Sequence, residues 1–198
     1  MVGLSGCFGK KYNVDYNGNK ELFPGAKDAY RAGESVKLNY KSIVSESNNS
    51  FFLNGKTIKA DFEEGKGYVI AFTMPENDIV INVDAQNSTV VITDSEKAAV
   101  LFFHSFDGGG PSFKVKIKDE SVVTCRQARK YTVKNHDIVC GAGYTVYVSF
   151  FGLKPGKTTA IIEARSPIAD NYDALYDVVV NEDLSVTVTL REQTDIRM

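Results

Sequence analysis

Tryptophan is absent from this chain, histidine occurs only as His104 and His136, and cysteine only as Cys7, Cys125 and Cys140. Two imidazoles are too few for a His-rich metal site, and no cysteines stand at the close CxxC spacing of structural zinc, so no metal is expected. No apolar run approaches the ~20 residues that a membrane-spanning helix needs. Neither sign of charge dominates. Lys+Arg 23 against Asp+Glu 25 gives a net charge of -2, which removes the electrostatic basis for expecting nucleic acid as a partner. Gly108-Gly109-Gly110 lacks the Lys-Ser/Thr pair and the helix that a phosphate-cradling loop uses, and reads as a turn. No cofactor is expected.

What the chain does have is 43% hydrophobic residues, with Tyr 10 and Phe 12, set in segments rich in Val, Ile and Thr. Branched and aromatic side chains pack well on a pleated surface, so the composition points to an all-β fold. Ser35-Val36-Lys37-Leu38-Asn39-Tyr40 alternates with a period of two, which predicts a strand with Val36, Leu38 and Tyr40 turned to a core. Phe51-Phe52-Leu53, Asn54-Gly55 and Lys56-Thr57-Ile58 predict a hairpin, because Asn-Gly accepts the positive φ angles of a type I′ turn. Tyr12–Tyr16, Gly67–Met74 and Ile79–Val83 read as further strands, and residues 21–32 as a loop with one helical turn. Asn87-Ser88-Thr89 reads as a polar link. Beyond it, short strands recur at even spacing from Val90 to Leu190, broken by Gly and Pro, the pattern of a β-sandwich. The expected organisation is a tether over residues 1–9, a small β domain over 10–87 and a sandwich over 88–198.

The odd cysteine is Cys7, at the end of Leu4-Ser5-Gly6-Cys7. This tetrapeptide resembles the bacterial lipobox, in which a leucine and two small residues precede a cysteine that is diacylated and becomes the new N-terminus. The resemblance implies lipidation at Cys7 and a lipid-anchored protein on the extracellular face of a bacterial membrane. The competing reading is a short N-terminal arm with a chance match. Cys125 and Cys140 are a candidate disulfide in that oxidising location, worth about 3 kcal/mol by loop-closure entropy. Two buried free thiols are the alternative, since strand geometry decides between them.

Ala32-Gly33-Glu34-Ser35-Val36-Lys37-Leu38, closed by Phe72-Thr73-Met74-Pro75-Glu76-Asn77-Asp78-Ile79-Val80-Ile81, resembles the internalin-type B repeats of bacterial surface proteins. That resemblance implies a stalk or adhesive spacer. The second domain resembles the chagasin-type inhibitors of papain-like cysteine proteases, which have an immunoglobulin-like fold. Gly141-Ala142-Gly143-Tyr144, Phe151-Gly152-Leu153-Lys154-Pro155-Gly156 and Arg165-Ser166-Pro167-Ile168 carry it. In that family three loops form a wedge that enters the protease cleft. Asp107, Gly108, Gly109, Gly110 and Pro111 occupy the place of the first loop, Gly141, Ala142, Gly143 and Tyr144 the second, and Arg165, Pro167 and Ile168 the third. The first place lacks the family's Thr pair. The second has Tyr144 where the family has glycine, and the third has Ser166 inserted and Ile168 for a stacking aromatic. Missing aromatic anchors remove the contacts that usually dominate an interface.

The remaining polar groups read as solvated surface. Asp61, Glu63 and Glu64, and Asp170, Asp173 and Asp177, lack the ligand spacing of a calcium loop. Arg126, Arg129 and Lys130 read as a solvated basic loop. Pairing Cys125 with His136 as nucleophile and base has no support in sequence separation, because that geometry is spatial. The chain is therefore expected to be non-catalytic, a surface lipoprotein that binds a protein or a surface polymer, with protease inhibition as the alternative.

Overall fold

A computed structural model describes residues 9–41, 49–84, 89–132 and 141–196. Its regular structure is almost entirely strand, as the composition predicts. The first nine strands are β1 (Lys11–Asp15), β2 (Ala29–Arg31), β3 (Ser35–Tyr40), β4 (Ser50–Leu53), β5 (Lys56–Thr57), β6 (Ala60–Glu63), β7 (Gly67–Thr73), β8 (Ile79–Asp84) and β9 (Thr89–Asp94). They form a sheet ordered β2-β1-β8-β9-β4-β5 and a second ordered β3-β7-β6. In β3, Val36, Leu38 and Tyr40 are all buried, opposite Phe72, Ile70 and Tyr68 of β7. The period of two in the sequence fixes this, because alternate side chains of a strand share a face. A run of touching rings occupies the core in place of tryptophan: Tyr16, Phe23, Tyr40, Phe51 and Tyr68 follow one another with centroids 5.2–5.9 Å apart.

The Asn54-Gly55 turn has φ of 46° and 78°, the left-handed pair of a type I′ hairpin, and joins β4 to β5 as predicted. Two short strands depart from the sequence reading. A 3₁₀ turn over Lys20–Leu22 opens the stretch read as a loop over residues 21–32, which also holds β2, paired with β1. β6 pairs with β7, although Ala60-Asp61-Phe62-Glu63 has little apolar content to announce it.

The expected division at residue 87 is corrected by the register. β9 runs antiparallel to β8 and parallel to β4, and its Val90 and Ile92 are buried in the first core. Val90-Val91-Ile92 therefore completes the N-terminal sheet rather than opening the second. Both faces of β8 and β9 are covered. Ile79, Ile81, Val83, Val90 and Ile92 face the first core, and the other faces meet the rest of the chain.

The remaining strands are β10 (Ala99–Phe106), β11 (Ser112–Ile117), β12 (Val123–Tyr131), β13 (Gly143–Gly152), β14 (Gly156–Arg165), β15 (Asn171–Val180) and β16 (Val186–Ile196). They make one sheet ordered β10-β13-β12 and another ordered β11-β14-β15-β16, with every pairing antiparallel. Val146, Val148 and Phe150 of the first share a core with Ala160, Val178 and Val180 of the second. Phe103 stacks on Phe113 across it at 4.8 Å.

Arg126, Arg129 and Lys130 lie on β12, not on a solvated loop. Their strand is pressed against β8 and β9, and the contact has an apolar centre of Val91, Ala128 and Phe151. Around it, the Arg126 guanidinium lies 4.6 Å above the Phe52 ring. Lys130 Nζ donates to Asn17 Oδ1 at 2.6 Å, and Asn17 Nδ2 donates to Asn82 Oδ1 at 2.6 Å. Gly55 sits in this contact too. A Cβ there would come within 2.7 Å of the Phe151 ring.

Candidate binding surface

Three connections meet at one end of the second pair of sheets. Residues 107–111 join β10 to β11, Gly141 and Ala142 lead into β13, and residues 166–170 join β14 to β15. They are tied to one another directly. Asp107 N donates to Ala142 O at 3.0 Å, linking the first two. Ser166 Oγ donates to Gly109 O at 2.5 Å, linking the first and third. Ser166 Oγ also accepts from Ile168 N at 3.1 Å and Ala169 N at 2.8 Å, and Ser166 N donates to Asn171 Oδ1 at 2.6 Å. A buried hydroxyl thus organises the third loop and holds the first against it.

Gly110 is required by packing, and the loop is closed by Gly110 N donating to Phe106 O at 3.1 Å. Gly109 has φ of 145°, and a Cβ on it would lie 2.7 Å from Ile168 Cδ1. A Cβ on Gly110 would fall 2.5 Å from the backbone N and O of Phe106. Ser105 Oγ donates to Pro111 O at 2.7 Å, which fixes the far side of the loop. These contacts restrict a segment whose composition alone suggests a flexible tip.

The residues matched to the inhibitor family do not all reach the surface. Ile168, 69% exposed, and Pro167 form the outermost apolar point. Gly108 and Gly141 are also exposed, and Gly109, Gly110, Pro111 and Gly143 are half-buried. Ala142 is buried. Tyr144 turns inward, 7% exposed, with its ring 5.2 Å from Tyr131 and the Arg129 guanidinium 5.1 Å above it. Arg165 is folded back along its own sheet, where Nη1 donates to Ala164 O and Tyr172 O at 2.9 Å and Nη2 donates to Asp173 Oδ1 at 2.6 Å. Its charge belongs to the base of the loop rather than its tip.

Cys125 is a free thiol, packed half-buried against the second core, and burial pushes its pKa up. Cys7, Cys140 and His136 lie outside the described residues. His104 is exposed on β10, with Nδ1 3.4 Å from Thr145 Oγ1. The acidic residues are spread rather than gathered. Asp61 and Glu63 lie on β6, while Asp173 and Asp177 lie on β15 in ion pairs with Arg165 and Arg191. Among the described residues no group of three or more His, Cys, Asp or Glu side chains is placed to hold a metal ion. Among them, too, no helix is long and apolar enough to cross a membrane.

Two features were missed in the sequence. Ser166 looked like an insertion and proves to be the hub of the loop cluster. Val100, Phe102 and Phe106 form an exposed apolar stripe on β10. The signal for it was present, because residues two apart on a strand share a face. Compared with known proteins, the chain matches no family model, no curated protein and no solved structure.

Proposed function

We propose that this chain is a non-catalytic binding protein of the bacterial cell surface, anchored through a diacylated Cys7, with the end formed by residues 107–111, 141–142 and 166–170 as its contact surface. The observation that carries the reading is the direct bonding among these loops, Asp107 N to Ala142 O and Ser166 Oγ to Gly109 O. Loops held in one arrangement before a partner arrives lose less freedom on binding, so more of the contact energy appears as affinity. An exposed apolar point, Pro167-Ile168, stands on the third of them, against Gly109 of the first. The partner is a protein or a surface polymer, and no nucleic acid is involved.

The strand connectivity supports an immunoglobulin-like assignment for the second unit. In a constant-type immunoglobulin domain, B, E and D belong to one sheet and C, F and G to the other. Taking β10 to β15 as B to G in chain order reproduces both sets, with β16 added beside β15. Under that assignment the three loops are the B–C, D–E and F–G connections. These are also the positions matched to the chagasin-type wedge, in the same order, which favours inhibition of a papain-type protease as the second reading.

Site-specific photo-cross-linking on intact cells expressing the full chain tests the first reading. A photoreactive amino acid at position 168 should yield a defined adduct, and the same group at exposed position 190 on β16 should not. Absence of an adduct at 168 would overturn the assignment of the surface. Replacing Cys7 by Ser should release the protein from the membrane fraction, and retention there would remove the lipid anchor. Titrating papain with the purified chain tests the second reading, which fails if activity is unchanged at micromolar inhibitor.

A further inference from the structure

β10 is an edge strand. Its eight residues, Ala99-Val100-Leu101-Phe102-Phe103-His104-Ser105-Phe106, pair with β13 alone, in unbroken register from Ala99↔Phe150 to Phe106↔Gly143. Alternate backbone N–H and C=O groups therefore point away from the sheet, an open template for another strand. Natural proteins guard such edges with charged side chains, prolines or bulges. Every other edge strand among the described residues carries charge: Arg31 on β2, Lys56 on β5, Lys37 on β3, Asp61 on β6, Lys114 on β11, Arg129 on β12 and Arg191 on β16. β10 has no charged residue, no proline and no bulge. Its outward face adds exposed apolar area, with Phe102 66%, Val100 38% and Phe106 37% exposed.

We propose that β10 pairs antiparallel with β10 of a second copy of this chain, joining two three-stranded sheets into one. Self-pairing fits because the strand sets no like charges against its own copy and its apolar stripe meets itself, the self-complementarity that a two-fold interface requires. The faces restrict the register. For the outward stripe of each copy to lie on the same side, directly opposed residues must have numbers of the same parity. A two-fold axis at Phe103 satisfies this and uses all three exposed side chains, setting Val100 beside Phe106 of the second copy and Phe102 beside its His104. The contact of Val186 N with Lys97 O, 2.9 Å, lies before the paired stretch and is left intact. The axis also sends the two loop clusters to opposite ends of the joined sheet, so this pairing leaves the proposed contact surface free.

Sedimentation equilibrium of the full 198-residue chain tests the proposal. A concentration-dependent dimer is expected. Phe102→Lys should weaken it at least about tenfold while leaving the melting temperature unchanged at concentrations where the parent is monomeric, because the side chain is exposed in the single copy. Leu190→Lys, on the charged edge strand β16, should leave dimerisation as it was. A chain that stays monomeric at about 100 μM, or a dimer indifferent to Phe102→Lys, would overturn the inference. So would a monomer that captures a synthetic 99–106 peptide without pairing with itself.

Discussion

Ser166 and Gly109, 57 residues apart in sequence, are joined by a hydroxyl-to-carbonyl hydrogen bond of 2.5 Å that closes the third loop onto the first. The same oxygen accepts two backbone N–H groups of its own loop. One small side chain therefore stands between two loops and the solvent that would otherwise separate them.

Removing that hydroxyl should be costly for its size. Ser166→Ala leaves Gly109 O and two N–H groups without their partner at a site only 5% exposed. A loss of about 1–3 kcal/mol is expected from unmade buried hydrogen bonds. Urea unfolding with an unchanged slope but a lower midpoint would show it. Hydrogen exchange should also quicken at Ile168 and Ala169, and stay as it was in the strands of the first core.

Gly110 makes a harder steric test. Ala at this position places Cβ 2.5 Å from the backbone of Phe106, which has no side-chain freedom with which to yield. Overpacking of this kind costs about 1–3 kcal/mol. Gly110→Ala should melt lower than the parent and lose the position-168 cross-link as well. A variant with parental stability would mean that the first loop is not closed as described.

The contact between the two pairs of sheets can be measured by a double-mutant cycle. Lys130→Ala and Asn17→Ala remove the two ends of a 2.6 Å hydrogen bond, and residues in direct contact show coupling of about 0.5 kcal/mol or more. Additive losses in chemical unfolding would argue that the bond is not maintained in solution. Gly55→Ala should destabilise further, since its left-handed φ and the Phe151 ring both oppose a Cβ.

Acid should weaken the fold through a defined set of carboxylates. Asp78 is held below the usual range by hydrogen bonds from Asn13 N and Asn13 Nδ2, Asp119 and Asp183 by those from Ser121 and Ser185, and Glu34 by the one from Arg31 N. A group whose pKa is lower in the folded state contributes stability above its unfolded pKa, and that contribution fades as pH falls through the folded value. For aspartate the unfolded value is near about 3.9. Melting temperature should thus decline as pH is lowered below about 4, and the decline should be shallower in Asp78→Ala.

Cys125 gives a chemical probe of packing. Burial raises its pKa, so the reactive thiolate is scarce at neutral pH. Alkylation by iodoacetamide should be slow in the native protein and accelerate on unfolding. Intact mass before and after reduction also reads whether this thiol ever pairs with Cys140. A native protein lighter by two hydrogen atoms than its reduced form would restore the bridge.

Much of the fold was legible wherever a strand has one wet face and one dry one. Val36, Leu38 and Tyr40 announce β3, and Asn54-Gly55 announces its hairpin, because both signals are local. The sheet that β9 joins is not legible, for the opposite reason. Val90-Val91-Ile92 is apolar throughout, which marks a strand covered on both faces but names neither neighbour. Arg126 and Lys130 misled in a similar way, since their strand is recognisable only when Phe52 and Asn17, far back in the sequence, are brought against it. At the candidate site, the positions of the three loops followed from their order along the chain. The inward turn of Tyr144, the folded-back Arg165 and the bonding role of Ser166 depend on tertiary contacts that no spacing encodes.

The parallel pairings of β1 with β8 and of β4 with β9 also set a schedule for folding during synthesis. The two middle strands of the first sheet are its last to be made, so β1 has only β2 and β4 only β5 beside it, and the two halves of the sheet stay apart until the ribosome has passed Asp94. Contacts of such long sequence separation form slowly. The N-terminal half thus emerges with the inner edges of β1 and β4 unpaired, and a holding chaperone, or a translocation channel that requires an unfolded chain, would meet it in that condition.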